Sequence, residues 1–148
     1  HGPMSGGSIR HPHSQIIGLR NYDYHEDITV KNMNGWLLYE DQDIRITLSK
    51  HPIIGFFEYN LRYKPDAPVR SIAMRLQQTI RYVLDSLSKF SQSYNYFFYQ
   101  LEDGYEYIKV IPRYITTPLY VGYKIPQTCN DERAAKILHN ITPYFELK

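Results

Sequence analysis

The chain has 148 residues, 43% of them hydrophobic and 22% charged, with 17 Lys+Arg against 15 Asp+Glu for a formal net charge of +2. That length and balance suit one folded core, exclude global disorder, and are too neutral to imply nucleic-acid binding from net charge alone. A single cysteine, Cys129, excludes an internal disulfide and a Cys-x-x-Cys metal site, and no apolar run approaches the roughly 18 residues of a membrane span, so a reducing cytoplasm is expected.

Residues 2 to 8, Gly-Pro-Met-Ser-Gly-Gly-Ser, break both helix and strand and read as a loop. Ile9 to Leu19 follows as a strand with a proline near its start or on an edge. Residues 20–34 look irregular, with Asn34-Gly35 as a turn signal. Trp36 to Glu40 and Ile44 to Leu48 form a hairpin joined by Asp41-Gln42-Asp43. From Phe57 the pattern alternates: Phe57, Tyr59, Leu61 and Tyr63 share one face and Glu58, Asn60 and Arg62 the other, which predicts a half-buried strand. Over 69–90, Ile72, Leu76, Ile80, Val83, Leu87 and Phe90 recur at three- and four-residue spacing, the stripe of a helix lying on a sheet, with Arg70, Arg75 and Arg81 at its solvated edge.

Two further strands, 94–101 and 105–111, flank Glu102-Asp103-Gly104, a hairpin signature with glycine at a left-handed position. The first is crowded with rings, in a chain whose 15 tyrosines place a hydroxyl-bearing ring at about one position in ten. No Lys or Arg interleaves with them, so a core or dimer interface is favoured over a stacking platform for RNA. An extended segment between Pro112 and Pro118 runs on into residues 119–123, and a short helix from Asp131 to His139, capped by Asn130 or Asp131, closes the chain. The order fits an α+β domain, an antiparallel sheet with one long covering helix.

The stretch that carries chemistry is Gly6-Gly7-Ser8-Ile9-Arg10-His11-Pro12-His13-Ser14-Gln15. In a strand, His11, His13 and Gln15 project from one face, beside a glycine loop whose bare amides can approach a phosphate. A neutral imidazole is a good nucleophile toward phosphorus near neutral pH once its second nitrogen is held by a carbonyl. The charge developing on the phosphoryl oxygens then calls for donors that are not bases: the Gln15 amide, the Ser8 hydroxyl and the Gly6-Gly7 amides, with Arg10 alongside. The competing readings are strand histidines without chemistry, or a metal site joining them to His25, Glu26 or His51. Glutamine is a poor metal ligand and the spacing favours no metal geometry, so no metal site is expected.

This run resembles the active-site signature of the galactose-1-phosphate uridylyltransferase family of the histidine-triad superfamily, and the phrase from His1-Gly2-Pro3 to Ile17-Gly18 resembles an uncharacterised bacterial branch of it. The resemblance implies a histidine-triad-like fold and a nucleotidyltransferase in which His13 carries the nucleotidyl group, His11 supports it, and Gln15 and Ser8 hold its phosphate. It also makes transfer the expectation over phosphoanhydride hydrolysis, because glutamine stands where the hydrolases have a third histidine. Tyr107-Ile-Lys-Val-Ile-Pro-Arg and Leu119-Tyr-Val-Gly-Tyr-Lys resemble the family's distal sugar-phosphate segment and imply substrate contacts for Lys109, Arg113, Tyr123 and Gln127. Tyr107 and Lys109 stand where the family has a second metal pair. Lys124 stands where it has a sugar-contacting glutamate, which implies a more anionic acceptor.

Two half-repeats are implied, residues 1–50 ending the first and residues 51–148 forming the second, so the chain reads as a fragment. Zinc would belong to the remainder of the first half, and this fragment needs no cofactor of its own. The expected partners are a nucleotide sugar or sugar phosphate, with neither nucleic acid nor membrane, and a second copy or the first half completing the sheet. A catalytically silent nucleotide-binding or scaffold module is the alternative.

Overall fold

The computed structural model describes residues 1, 2, 4, 21, 23–87, 92–113, 122 and 126–146; the strand expected over Ile9 to Leu19 and most of residues 119–123 lie outside them. Strands β1 (Gly35–Glu40), β2 (Ile44–Ser49), β3 (Tyr59–Tyr63), β4 (Tyr94–Gln100) and β5 (Glu106–Pro112) form one antiparallel sheet in the order β1-β2-β3-β5-β4. Helix α2 (Val69–Leu87) carries the chain from β3 to the edge strand β4, and β5 returns between them. The α+β class and the antiparallel sheet stand as the sequence predicts. The hairpin β1–β2, assigned from sequence to the first half-repeat, pairs with β3 in the same sheet.

Each hairpin is set by an aspartate. Asp41 Oδ1 accepts the amides of Asp43 and Ile44 at 3.0 and 2.8 Å, closing the β1–β2 turn. Asp103 does the same for the Tyr105 amide at 3.2 Å, beside Gly104 at φ +79°.

On one face Ile46, Leu61 and Ile108 align across β2, β3 and β5. Around them Ile44, Leu48, Tyr59 and Val110 close a core covered by Tyr82 and Val83 of α2, with Ile72, Leu76 and Ile80 packed against it. A second long helix, α3 (Asp131–Glu146), adds Ala134, Ile137, Ile141 and Phe145 to that core. It is capped by Asn130, whose Oδ1 accepts the Arg133 amide at 3.0 Å.

The structure corrects four expectations. Helix α3 does not stop at His139 but continues through Pro143, because Ile141 and Phe145 extend its buried stripe and outweigh the local break. Arg75 is not a solvated edge residue. Its side chain is 13% exposed, lies 4.0 Å over the Tyr39 ring, and donates to the Tyr39 hydroxyl and, at 2.9 Å, to the Phe145 carbonyl at the end of α3. Asn34-Gly35 makes no turn. Asn34 has extended backbone, and Gly35 is required because a Cβ there would lie 1.7 Å from the Leu48 carbonyl oxygen.

The fourth correction concerns β3, which is buried on both faces: Glu58 and Asn60 are as covered as Tyr59 and Leu61. The cover is the stretch read as irregular. A 3₁₀ turn (Tyr24–Glu26) and a short helix α1 (Val30–Met33) lie there, and Met33 packs with Tyr107 and Leu101, joined by Tyr24, Ile28, Val30, Tyr99 and Tyr105.

Candidate functional site

Ser8, Gly6, Gly7, Arg10, His11, His13 and Gln15, and likewise Tyr123, lie outside the described residues. Lys109, Arg113 and Gln127 are placed, and the structure does not gather these three into one cluster.

Lys109 is the clearest departure from expectation. Its side chain and that of Glu58 are both 0% exposed and meet at 3.1 Å. The Lys109 ammonium also donates to Asn60 Oδ1 at 2.7 Å and to the Asn32 carbonyl at 2.9 Å, which occupies its three protons. Burial pushes its pKa down and the Glu58 carboxylate pulls it back up. Glu58 is saturated too: Oε2 accepts the Ile53 amide at 2.7 Å, and Oε1 accepts those of Ile54 and Gly55 at 2.7 and 3.1 Å. Asn60 Nδ2 reaches the Met33 carbonyl and Thr47 Oγ1, both at 3.1 Å, and Ser49 Oγ donates to the Asn32 carbonyl at 2.8 Å. Such a network has no donor left for a ligand, so the expected substrate contact of Lys109 is replaced by a structural one. Tyr107, two residues earlier on the same face, is likewise buried, its hydroxyl donating to Asp103 at 2.5 Å; burial raises its pKa.

Gln127 is half-buried and forms a parallel bridge with Gly55, so it rests on the loop that Glu58 holds. Arg113 is half-buried just beyond β5, its amide donating to the Ser93 carbonyl at 2.8 Å. Ser93 also receives the start of the chain. The Met4 amide donates to Ser93 Oγ at 3.0 Å, and His1 and Tyr94 exchange both backbone hydrogen bonds, at 2.8 and 2.9 Å. Neither Glu58 nor Ser93 was singled out by the sequence as functional; Asn60, not Glu58, stands opposite Lys109 across the strands, so the register does not mark Glu58 either.

An open pocket of about 400 Å³ is lined by Asn21, Asp23, Glu26 and Asp27. Three carboxylates make it repellent to a phosphate. Beside it the Asp23 carboxylate raises the pKa of His25 and is itself lowered by the His25 amide, with the His25 ring nitrogen Nδ1 2.5 Å from Asp23 Oδ1. Among the described residues no three His, Cys, Asp or Glu side chains gather as a metal group, and no helix is long and apolar enough to cross a membrane.

Residues 25–145 match the C-terminal domain of DUF4931, a domain of unknown function, and residues 1–22 match its N-terminal domain. The chain belongs to the DUF4931 family. The two matches part ahead of β1, so the five described strands lie in the C-terminal DUF4931 domain and the Gly-Gly-Ser-Ile-Arg-His-Pro-His-Ser-Gln run in the N-terminal one. A crystal structure of a DUF4931 family protein from Bacillus cereus is 38% identical, with a TM-score of 0.82, over 99% of this chain and 66% of that one. This chain therefore spans 66% of that relative's length. No curated protein matches.

Proposed function

We propose that this DUF4931 chain carries the nucleophile of a nucleotidyltransferase similar to the galactose-1-phosphate uridylyltransferases, on a histidine-triad-like fold. The observation that carries the reading is the sequence spacing of Ser8, His11, His13 and Gln15 behind Gly6-Gly7. The reaction is a double displacement. An imidazole nitrogen of His13 attacks the nucleotidyl phosphorus of a nucleoside diphosphate sugar; a P–N bond forms and the P–O bond to the sugar phosphate breaks, the electron pair leaving on that oxygen. A phosphate oxygen of the acceptor then attacks the same phosphorus, forming P–O and breaking P–N, which frees His13. Ser8, Gln15 and the loop amides hold the charge on the non-bridging oxygens. Lys109 has no part in this, and Arg113 remains a candidate for the acceptor's phosphate. The enzyme works in the cytoplasm, with a second copy or the remainder of the N-terminal domain as partner.

The full-length protein incubated with radiolabelled UDP-sugar or ADP-sugar should carry acid-labile label, and His13→Ala should not. Absence of label on wild type, or equal label on His13→Ala, overturns the reading. The burial of Lys109 and Tyr107 in structural networks favours, as a second reading, a module that binds nucleotides without turnover. Calorimetric binding with no product would select it.

A further inference from the structure

We infer that the turn Tyr24–Glu26 is a proton-sensitive latch: His25 ties the junction between the two DUF4931 domain matches to the end of strand β4 while its ring is protonated, and lets go of Gln100 when it is not. The latch is independent of the nucleotidyltransferase chemistry.

In β4, at the end of the five-strand order, every second residue turns its amide and carbonyl away from β5. At Tyr94 these outward groups are met by the backbone of His1, at 2.8 and 2.9 Å. At Gln100, the other end of the strand, they are met by side chains. The Tyr24 hydroxyl accepts the Gln100 amide at 3.2 Å and donates to its carbonyl at 3.0 Å, and His25 Nε2 lies 2.9 Å from the same carbonyl. The Tyr24 ring holds the turn in place, stacked on the His25 ring at 4.3 Å and tilted against Tyr99 at 5.6 Å. Residues 1–22 match one domain and residues 25–145 the other, so these contacts fix the seam between them to the outer edge of the sheet.

The His25 ring faces an acceptor at each nitrogen, Asp23 Oδ1 at 2.5 Å from Nδ1 and the Gln100 carbonyl at Nε2. Neither acceptor has a proton to give, because the Asp23 carboxyl is held below its ordinary value by the His25 amide and then by the ring. A neutral imidazole carries one N–H and satisfies only one of the two; the cation satisfies both. The charged groups acting on the ring are Asp23 of its own turn and Glu102 of the β4–β5 turn, both carboxylates that favour the cation. Glu26 and Asp27, beside the ring in the open pocket, carry the same sign. The bond to Asp23, and after it the one to Gln100, raises the His25 pKa above 6.5. The latch is therefore fully closed from pH 6.5 down to the lowered Asp23 value, and it opens as pH rises through the raised His25 value. When the cation loses a proton, the one left stays at Nδ1, where the acceptor is a full carboxylate and the bond is the stronger. Nε2 then turns a lone pair toward the Gln100 carbonyl, and that contact breaks. The His25 side chain is 50% exposed, so solvent protons reach it.

The test follows the full-length protein, Asp23→Asn and His25→Ala by NMR, reading the two imidazole nitrogens of His25 and the hydrogen exchange of the Gln100 amide, corrected for the pH dependence of exchange in a free chain. In the wild type the neutral ring should keep its proton on Nδ1. Protection of the Gln100 amide should fall about threefold to tenfold across the same titration, the equivalent of one net hydrogen bond, while β2 and β3 do not change. Asp23→Asn should move that fall to lower pH, and His25→Ala should show the reduced protection at every pH. A neutral ring with its proton on Nε2, a Gln100 protection that does not follow the His25 titration, or a fall that survives unchanged in His25→Ala overturns the latch.

Discussion

On the helix-covered face of the sheet Ile46, Leu61 and Ile108 stand side by side across three strands, and one residue further along the same strands Thr47, Asn60 and Lys109 stand side by side on the other. Both rows are buried. The first is held by apolar area, which is additive and non-directional and loses stability in proportion to what is removed. The second is held by hydrogen bonds that complete one another, from Thr47 through Asn60 and Lys109 to Glu58, so removal of one member strands the rest. A sheet can therefore bury two faces of one strand by opposite means, and the two should fail differently.

The largest effect is expected from Lys109→Met, which leaves Glu58 buried without its cation and should cost about 4 kcal/mol in urea unfolding. Adding Glu58→Gln should cost much less than the sum of the two single losses, because the stranded charge is gone. Additive losses would mean that the pair is not coupled. Leu61→Ala, in the apolar row, should cost about 3 kcal/mol by lost burial and a residual cavity. Its loss should add to that of a substitution in the other buried cluster, such as Leu101→Ala, and strong coupling between them would break the contrast between the faces.

The smallest effect belongs to the exposed pair Asp23 and His25, which shows what a polar contact is worth outside the network. Asp23 raises the pKa of His25 above 6.5, so the contribution of the pair is full below pH 6.5 and is lost as pH rises through the raised value. The Asp23 pKa is lowered, so the pair is also lost as pH falls through that value. NMR titration should place the His25 pKa above 6.5 in wild type and closer to 6.5 in Asp23→Asn; no change would remove Asp23 as the cause.

The apolar row could be read from the sequence because its signal is periodic. Tyr59, Leu61 and Tyr63 alternate, the α2 stripe repeats at helical spacing, and both hairpins carry their turn residues in the open. The polar row could not. Glu58, Asn60 and Lys109 look like a solvent face, and what covers them is a four-residue helix too short to leave a pattern. Local rules also misled at Pro143 and Asn34-Gly35, where packing of Phe145 and the approach of Leu48 decide the backbone. The run holding Ser8, His11, His13 and Gln15 lies outside the described residues, and the contacts of Met4 and His1 with Ser93 and Tyr94, about ninety residues away in the chain, leave no trace in spacing.

The amides of Ile53, Ile54 and Gly55 converge on the Glu58 carboxylate in the way a backbone concavity grips a free anion. Here the anion is tethered to the chain, so its occupancy obeys no dissociation constant and no metabolite level. The loop that meets Gln127 through Gly55 is liganded from the moment the sheet forms. Its shape is inherited from folding, and any phosphate compound reaching that side of the molecule meets a surface already set.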